Sequence, residues 1–539
     1  MSKRTLVFAS VMMVVVLVLA ACGQTAPAAP AATQPAPAAQ IQRGGDLIMA
    51  LVTDVGTLNP HLSSNAATMN IFYQGLEPLV WIDPQTKQAK GWLATSWDVS
   101  ADGKEWTFQL RQGVKFHDGT PFNAAAAKWN FDHLLDPKLQ AGAARNFVAS
   151  VARVEAPAEY TLKLFLKSTD AGLLDSLHYG HIGMICPEAV KQFGDTEFAN
   201  HFCGTGPYKL KELVAGNHVT FVRNEEYNWA PDWMGHQGPG YLNSITWRFI
   251  TDDTTRTAVL ETGEVNVAVN LPAPDVTRLM ANKNLTIMSP MPSGVSQGLY
   301  MNVTKWPTDD LVIRQAMAWA ADRETFSKVA YFGIWPPTST TLSPNTLCYS
   351  KESEIYRYDP AKAKALLDGA GYKDTNGDGI REKDGKPIKV LFIKEASFLG
   401  AELIQSQFRA VGIDVEIQEV SAAGRQDAAS KGLHNIMPGG TISGDPSFMN
   451  NYFMTGSPLN VAKVSDKELE KLLLDAKAAL DVKERCKLFA AVQKRIMENV
   501  YHLPLVVSPS TIGTRKEVQG IRFDVTGWFM VLYDTYMQR

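Results

Sequence analysis

Nine consecutive residues, Asp374-Thr375-Asn376-Gly377-Asp378-Gly379-Ile380-Arg381-Glu382, place oxygen donors at alternate positions of one loop. Asp374, Asn376, Asp378, the carbonyl of Ile380 and Glu382 are the candidate ligands of a calcium ion, with Gly379 supplying the sharp turn at the sixth position. The twelfth position is Gly385, where a bidentate Glu belongs, so the competing reading is a turn whose Asx side chains cap their own backbone. His178 and His181 stand three apart and face a common metal if helical, but no thiolate or carboxylate partner is evident beside them. Phe116-His117-Asp118-Gly119 reads as a turn in which Asp118 caps backbone amides, not as a catalytic histidine. There is no zinc-protease His-Glu pair, no nucleophile-elbow serine and no phosphate-binding Walker loop. The sequence therefore argues against an enzyme, and a resident cofactor is not expected apart from the calcium candidate.

The elements that position these residues alternate between strand and helix. Trp97 to Val99, a turn at Ser100-Ala101-Asp102-Gly103, and then Trp106, Phe108 and Leu110 predict a β-hairpin with one buried face. A helix is predicted from about Ala124 to Leu135. Asp359-Pro360 opens another with an N-cap and a proline in its first turn, and Gly371 ends it. Ser465 and Glu468 read as a capping box ahead of Leu469, Leu472, Leu473 and Ala476. Mixed α/β lobes follow from this pattern.

The amino terminus has a different character. Lys3 and Arg4 precede an apolar run from Leu6 to Ala21, too short to span a bilayer comfortably and patterned as a signal peptide. Leu19-Ala20-Ala21-Cys22-Gly23 resembles a bacterial lipobox, which implies cleavage before Cys22 and lipidation of its sulfur. From Gly23 to Gln40 the chain is almost entirely Ala, Pro, Gln and Thr, a composition that cannot bury enough apolar surface to fold. Residues 1–21 are thus read as a leader and 22–42 as a lipid-anchored tether.

The remaining sequence to Arg539 is long enough for two or three lobes. A net charge of −3 and a pI near 6.4, without a Lys/Arg cluster, argue against nucleic acid as a partner. Four cysteines follow Cys22, which permits two disulfides in an exported protein and three pairings. Cys186 and Cys203 lie close together beside turn chemistry and are the favoured pair. Cys486 shares a predicted helix face with Val482, Phe489 and Ile496 and is read as an inert buried thiol.

Several segments in order resemble one family, the extracytoplasmic solute-binding proteins of ABC importers, in the peptide, nickel and oligosaccharide branch known as family 5. They are Thr57-Leu58-Asn59-Pro60-His61, Gly75-Leu76-Glu77-Pro78-Leu79, Leu93 to Trp97 with Leu110 to Phe122, Gly204-Thr205-Gly206-Pro207-Tyr208, Thr255 to Val265, and Met301-Asn302 to Ile313-Arg314-Gln315-Ala316 with Ala321-Asp322-Arg323. The resemblance implies a two-lobed periplasmic-binding-protein-like α/β fold of type II, with an extra subdomain and a hinge between the lobes. Lobe I is then 43–290 with a subdomain at about 80–200, lobe II is 291–509, and 510–539 returns to lobe I. Ligand is enclosed between the lobes by hinge closure.

Peptide binders of this branch usually carry a Trp and an Asp before an acidic-Pro pair. Here Gly439-Gly440-Thr441-Ile442-Ser443-Gly444-Asp445-Pro446 puts Gly439 at the Trp position and Ile442 at the Asp position. An ammonium buried against Ile442 lacks its counter-charge unless Asp445 shifts into that role. The glycines suggest room for a wider ligand, so an oligosaccharide or opine-like solute stands beside a peptide. The candidate ligand residues are Asn59 and His61, Ser296 and Tyr300 at the crossing between lobes, Ser443 and Asp445, and Trp528. The function implied is a monomeric, lipid-anchored receptor that captures a peptide or similar small solute and delivers it to an ABC permease driven by ATPase subunits. A surface sensor without uptake, and an extracytoplasmic hydrolase, are the alternatives.

Overall fold

The computed structural model describes Ile41 and residues 43–538. The leader, Cys22 and the tether to Gln40 lie outside the described residues. Two principal sheets organise the chain. The first has seven strands in the order Leu285–Met288, Ile512–Arg515, Val267–Ala268, Asp46–Leu51, Ser244–Phe249, His218–Arg223 and Tyr208–Val214. Asp46–Leu51 runs parallel to Ser244–Phe249, whereas Ile512–Arg515 is antiparallel to both of its neighbours. The carboxyl-terminal segment is therefore an internal strand of a sheet otherwise built before residue 290.

The second sheet has five strands in the order Asp414–Glu419, Lys389–Lys394, Ile436–Ile442, Gly294–Met301 and His502–Val506. Among the described residues two segments connect the sheets, between Met288 and Gly294 and between Val506 and Ile512. Separate apolar clusters fill the two bodies, one including Trp92, Trp247 and Phe108, the other including Phe392, Phe408 and Leu503. Burial of this apolar surface is the main favourable term for each body.

A four-stranded antiparallel subdomain, ordered Ala94–Val99, Glu105–Leu110, Thr161–Leu166 and Val151–Ala158, packs on the first sheet. Its hairpin pairs Trp97 with Phe108 and Val99 with Trp106. The helix Ala124–Leu135 starts where the Asn123 side chain accepts the Ala126 amide. Glu77 ties the subdomain to the first lobe. Its wholly buried carboxylate accepts from Trp92 Nε1 at 2.9 Å, Tyr227 Oη at 2.6 Å and Trp229 Nε1 at 3.0 Å. His117 joins two sequence blocks by hydrogen bonding Gly206 O through Nε2 and receiving the Gly204 amide at Nδ1, while Asp118 accepts the Thr120 amide. Burial lowers the His117 pKa to about 4, so it is held neutral.

Three sequence expectations need correction. The cap of Lys467–Ala478 is Asp466, which accepts the Glu468 and Leu469 amides; Ser465 is not the cap. Cys486 is not a free thiol but is bonded to Cys348, with a Cα separation of 4.6 Å, and Val482 is 56 % exposed. The inward face of Val482–Glu498 instead presents Arg485, Phe489 and Gln493, and Gln493 donates to Cys348 O at 2.8 Å. This turns the half-buried Cys486 toward the 340–350 loop. Cys186 and Cys203 are also bonded, with a Cα separation of 5.4 Å.

Candidate functional site

The cleft forms where the two connections meet the strand Gly294–Met301. Gly294 has φ +131°, and a Cβ there would lie 2.0 Å from Thr441 O, so only glycine lets this strand enter the second sheet. Beside it is a cavity of about 310 Å³ lined by residues including Ser293, Ser296, Gln297, Ile442, Val507 and Trp528. Two of these side chains bring unsatisfied polarity: Ser296 Oγ and Trp528 Nε1 are buried with no hydrogen-bond partner among the described residues. Buried polar atoms are rarely left unpaired in a folded protein, so these two are free to accept a partner from the cavity.

A second cavity of about 190 Å³ lies between Asp170, Asp175 and Tyr179 of the first lobe and Asp445, Asn450 and Lys477 of the second. A third, of about 290 Å³, is lined by Tyr331, Trp335, Glu395 and Arg425, and shares Gln297 and Gly440 with the first. Residues 439–445 run along all three cavities. The lobes meet across this cleft: the Ala171 amide donates to Lys477 O at 2.9 Å, and Lys87 Nζ donates to Asn345 Oδ1 at 2.9 Å.

Asp445 does not present a free carboxylate. Arg485 donates to both of its oxygens at 2.6 Å, and Oδ1 also accepts the Ser447 amide. Burial pushes the Asp445 carboxyl up, but Arg485 outweighs it and holds the group below the ordinary carboxylate range. On the opposite wall burial pushes Asp175 up to about 7, against the pull of His178. His178 lies 3.7 Å from Asp175 and 3.9 Å from Asp524; burial lowers its basicity, but these two carboxylates raise it above the ordinary histidine value.

Ser296, Ser443, Asp445 and Trp528 line the cavities, Ser443 donating to Asp445 O. Tyr300 does not line them. It is buried beneath residue 439, parallel to Tyr452 at 5.7 Å, and a Cβ on Gly439 would lie 2.7 Å from its ring. The side-chain direction of Gly439 is thus taken by Tyr300, while its backbone lines the 290 Å³ cavity. Asn59 and His61 also lie away from the cleft: Asn59 Nδ2 donates to Asp195 O at 2.8 Å, and His61 Nδ1 lies 2.9 Å from His133 Nδ1. They pin their loop to helices of the same lobe. Asp175, Gln297 and Arg425 went unrecognised, since no local motif surrounds any of them.

The oxygen donors of the 374–382 loop make local hydrogen bonds. Asp374 accepts the Gly377 and Gly379 amides, Asn376 the Asp378 amide, Asp378 the Ile380 amide, and Glu382 the Thr375 amide. His181 packs against Phe72, and burial lowers its pKa to about 4. Among the described residues the one convergent His, Cys, Asp or Glu trio is Asp118, Cys186 and Cys203, whose cysteines form a disulfide.

Two sheets joined by two connections, with cavities and unpaired polar atoms at the seam, define a binding protein that closes around a solute. The chain belongs to the bacterial extracellular solute-binding proteins, family 5, whose model matches residues 88–462. It is 31% identical over 485 residues to the glutathione-binding protein GsiB of Escherichia coli strain K12, covering 88% of this chain and 91% of that protein. It is similar to the solved structure of NikA from Brucella suis in complex with Fe(III)-EDTA, at TM-score 0.80 and 26% identity, covering 92% of this chain and all of that one (100%). The fold is also that of the periplasmic binding protein DppA from Helicobacter pylori in complex with the peptide STSA, at TM-score 0.75 and 24% identity, covering 92% and 99%.

Proposed function

We propose that this protein is the substrate-binding component of an ABC importer, capturing a peptide or similar-sized solute between its lobes and presenting it to a permease. The observation that carries the reading is the seam itself: Ser296 Oγ and Trp528 Nε1, both buried and without a partner among the described residues, face one cavity beside the two connections between the sheets. Binding needs no activated nucleophile, and none is required here. The resemblance to a glutathione-binding protein along most of both chains favours a small peptide over a sugar. Cys22 provides the lipid anchor, and the tether keeps the receptor near its permease at high effective concentration.

The test is native mass spectrometry of protein purified without denaturation, followed by calorimetry with reduced glutathione and short peptides. A retained or added peptide bound one to one supports the reading. Retention of an oligosaccharide, with no heat from any peptide, would replace it.

A further inference from the structure

The charged side chains along the 190 Å³ interlobe cavity are unevenly compensated. Arg485 takes up both oxygens of Asp445 and also donates to Ser447 Oγ. Lys477 Nζ lies 3.6 Å from Asp170, whose Oδ1 accepts the Gly172 amide. Asp175 differs: among the described residues its carboxylate accepts no hydrogen bond, although its side chain is only 13 % exposed and lines the cavity. His178, its closest cationic neighbour, is placed between Asp175 and Asp524, and one imidazolium cannot neutralise two carboxylates. Lys87 makes no ion pair with either and is turned to Asn345.

A second acceptor on the facing lobe is also unused. Asn450 lines the same cavity, and its buried Oδ1 has no donor. The lobes meet tightly here, since a Cβ on Gly444 would lie 2.1 Å from Asp175 Oδ1. One carboxylate and one amide oxygen fall well short of a calcium cage, which takes six to eight oxygens. They suit an ammonium, which brings three donors and one positive charge.

We infer that Asp175 is the counter-charge for the ammonium group of the ligand, reaching it from the first lobe while the Asn450 amide oxygen receives a second N–H from the other. This rests on the reading of the ligand as a peptide or amino-acid-like solute. An ammonium contacting both walls holds the lobes together only when both are in place, so the charge contributes to closure as well as to recognition. Burial pushes Asp175 up to about 7, and a docked cation reverses that, so binding near neutral pH releases a proton. The groups that set this balance are His178, Asp524, Asp445 and Arg485.

Calorimetry at pH 8 with reduced glutathione, the peptide Ser-Thr-Ser-Ala and the N-acetylated form of each tests the inference. Wild type is expected to bind at least one free-amine probe and to bind its acetylated form about tenfold or more weaker. Asp175→Asn should lose that preference, binding the free-amine and acetylated forms with similar affinity, with a thermal melt confirming that it folds. A D175N protein that keeps the wild-type preference overturns the inference and leaves the peptide reading standing, as does wild type that ignores acetylation. Wild type that binds none of the four probes overturns the peptide reading and the inference with it. If D175N does not fold, Asn450→Ala decides: about tenfold weaker free-amine binding supports the inference, and unchanged binding overturns it.

Discussion

Asp445 and Arg485 form a two-pronged ion pair, 2.6 Å at both contacts, buried on the cleft wall with side-chain exposures of 9 % and 4 %. Removing one member strands the other charge. Arg485→Met is expected to lower the unfolding free energy by about 3–5 kcal/mol, whereas Asp445→Leu combined with Arg485→Met recovers most of it. Urea unfolding of the three variants checks both statements.

The stability of the unliganded protein should depend on pH with opposing signs from neighbouring groups. Asp445 is held below the ordinary carboxylate range, so its contribution is present above that range and is lost as pH falls through its lowered pKa. Asp175 and His178 are raised, so their contributions are present at acid pH and are lost as pH rises, for Asp175 through about 7. Melting temperature is therefore expected to fall between about pH 5 and pH 8, and to fall less in Asp175→Asn. Melts at four pH values in that interval measure the slope directly.

Trp528 places an unpartnered indole N–H on the 310 Å³ cavity. Trp528→Phe keeps an aromatic ring but removes the donor. Stability should change by less than about 1 kcal/mol while ligand affinity falls about 5- to 20-fold. Calorimetry supplies the affinity, and tryptophan fluorescence of wild type should shift on ligand addition.

The Cys348–Cys486 bond spans 138 residues of sequence and fastens the helix Val482–Glu498 to the 340–350 loop. In the chain-entropy account such a closure stabilises by about 4–5 kcal/mol. Cys348→Ser should show a loss of that order in urea unfolding. Mass mapping without reductant should find a free Cys486 in the variant.

Local features are legible in the sequence. The alternation of Trp97, Trp106, Phe108 and Leu110 reports the hairpin, and Asp359-Pro360 reports a helix start, because strand and cap signals act within a few residues. Ser296, expected at the crossing, and Trp528, expected where the first lobe returns to the cleft, both line the 310 Å³ cavity. The partners that hold Asn59 and His61, Asp195 and His133, lie 136 and 72 positions away, beyond the reach of any local pattern. Asp175 carried no signal at all, since its environment exists only once Gly444 and Asp445 arrive from the other lobe. Cys486 was misjudged for a similar reason: helical periodicity alone placed Val482 inward, and the distant Cys348 set the face.

The strand Ile512–Arg515 lies between Leu285–Met288 and Val267–Ala268, so the first sheet has a gap until the final thirty or so residues are present. An emerging chain holds unpaired edges at Leu285–Met288 and Val267–Ala268 through the making of the whole second lobe, and such edges recruit other chains. Truncation before Ile512 should therefore yield an aggregating product, not a smaller receptor.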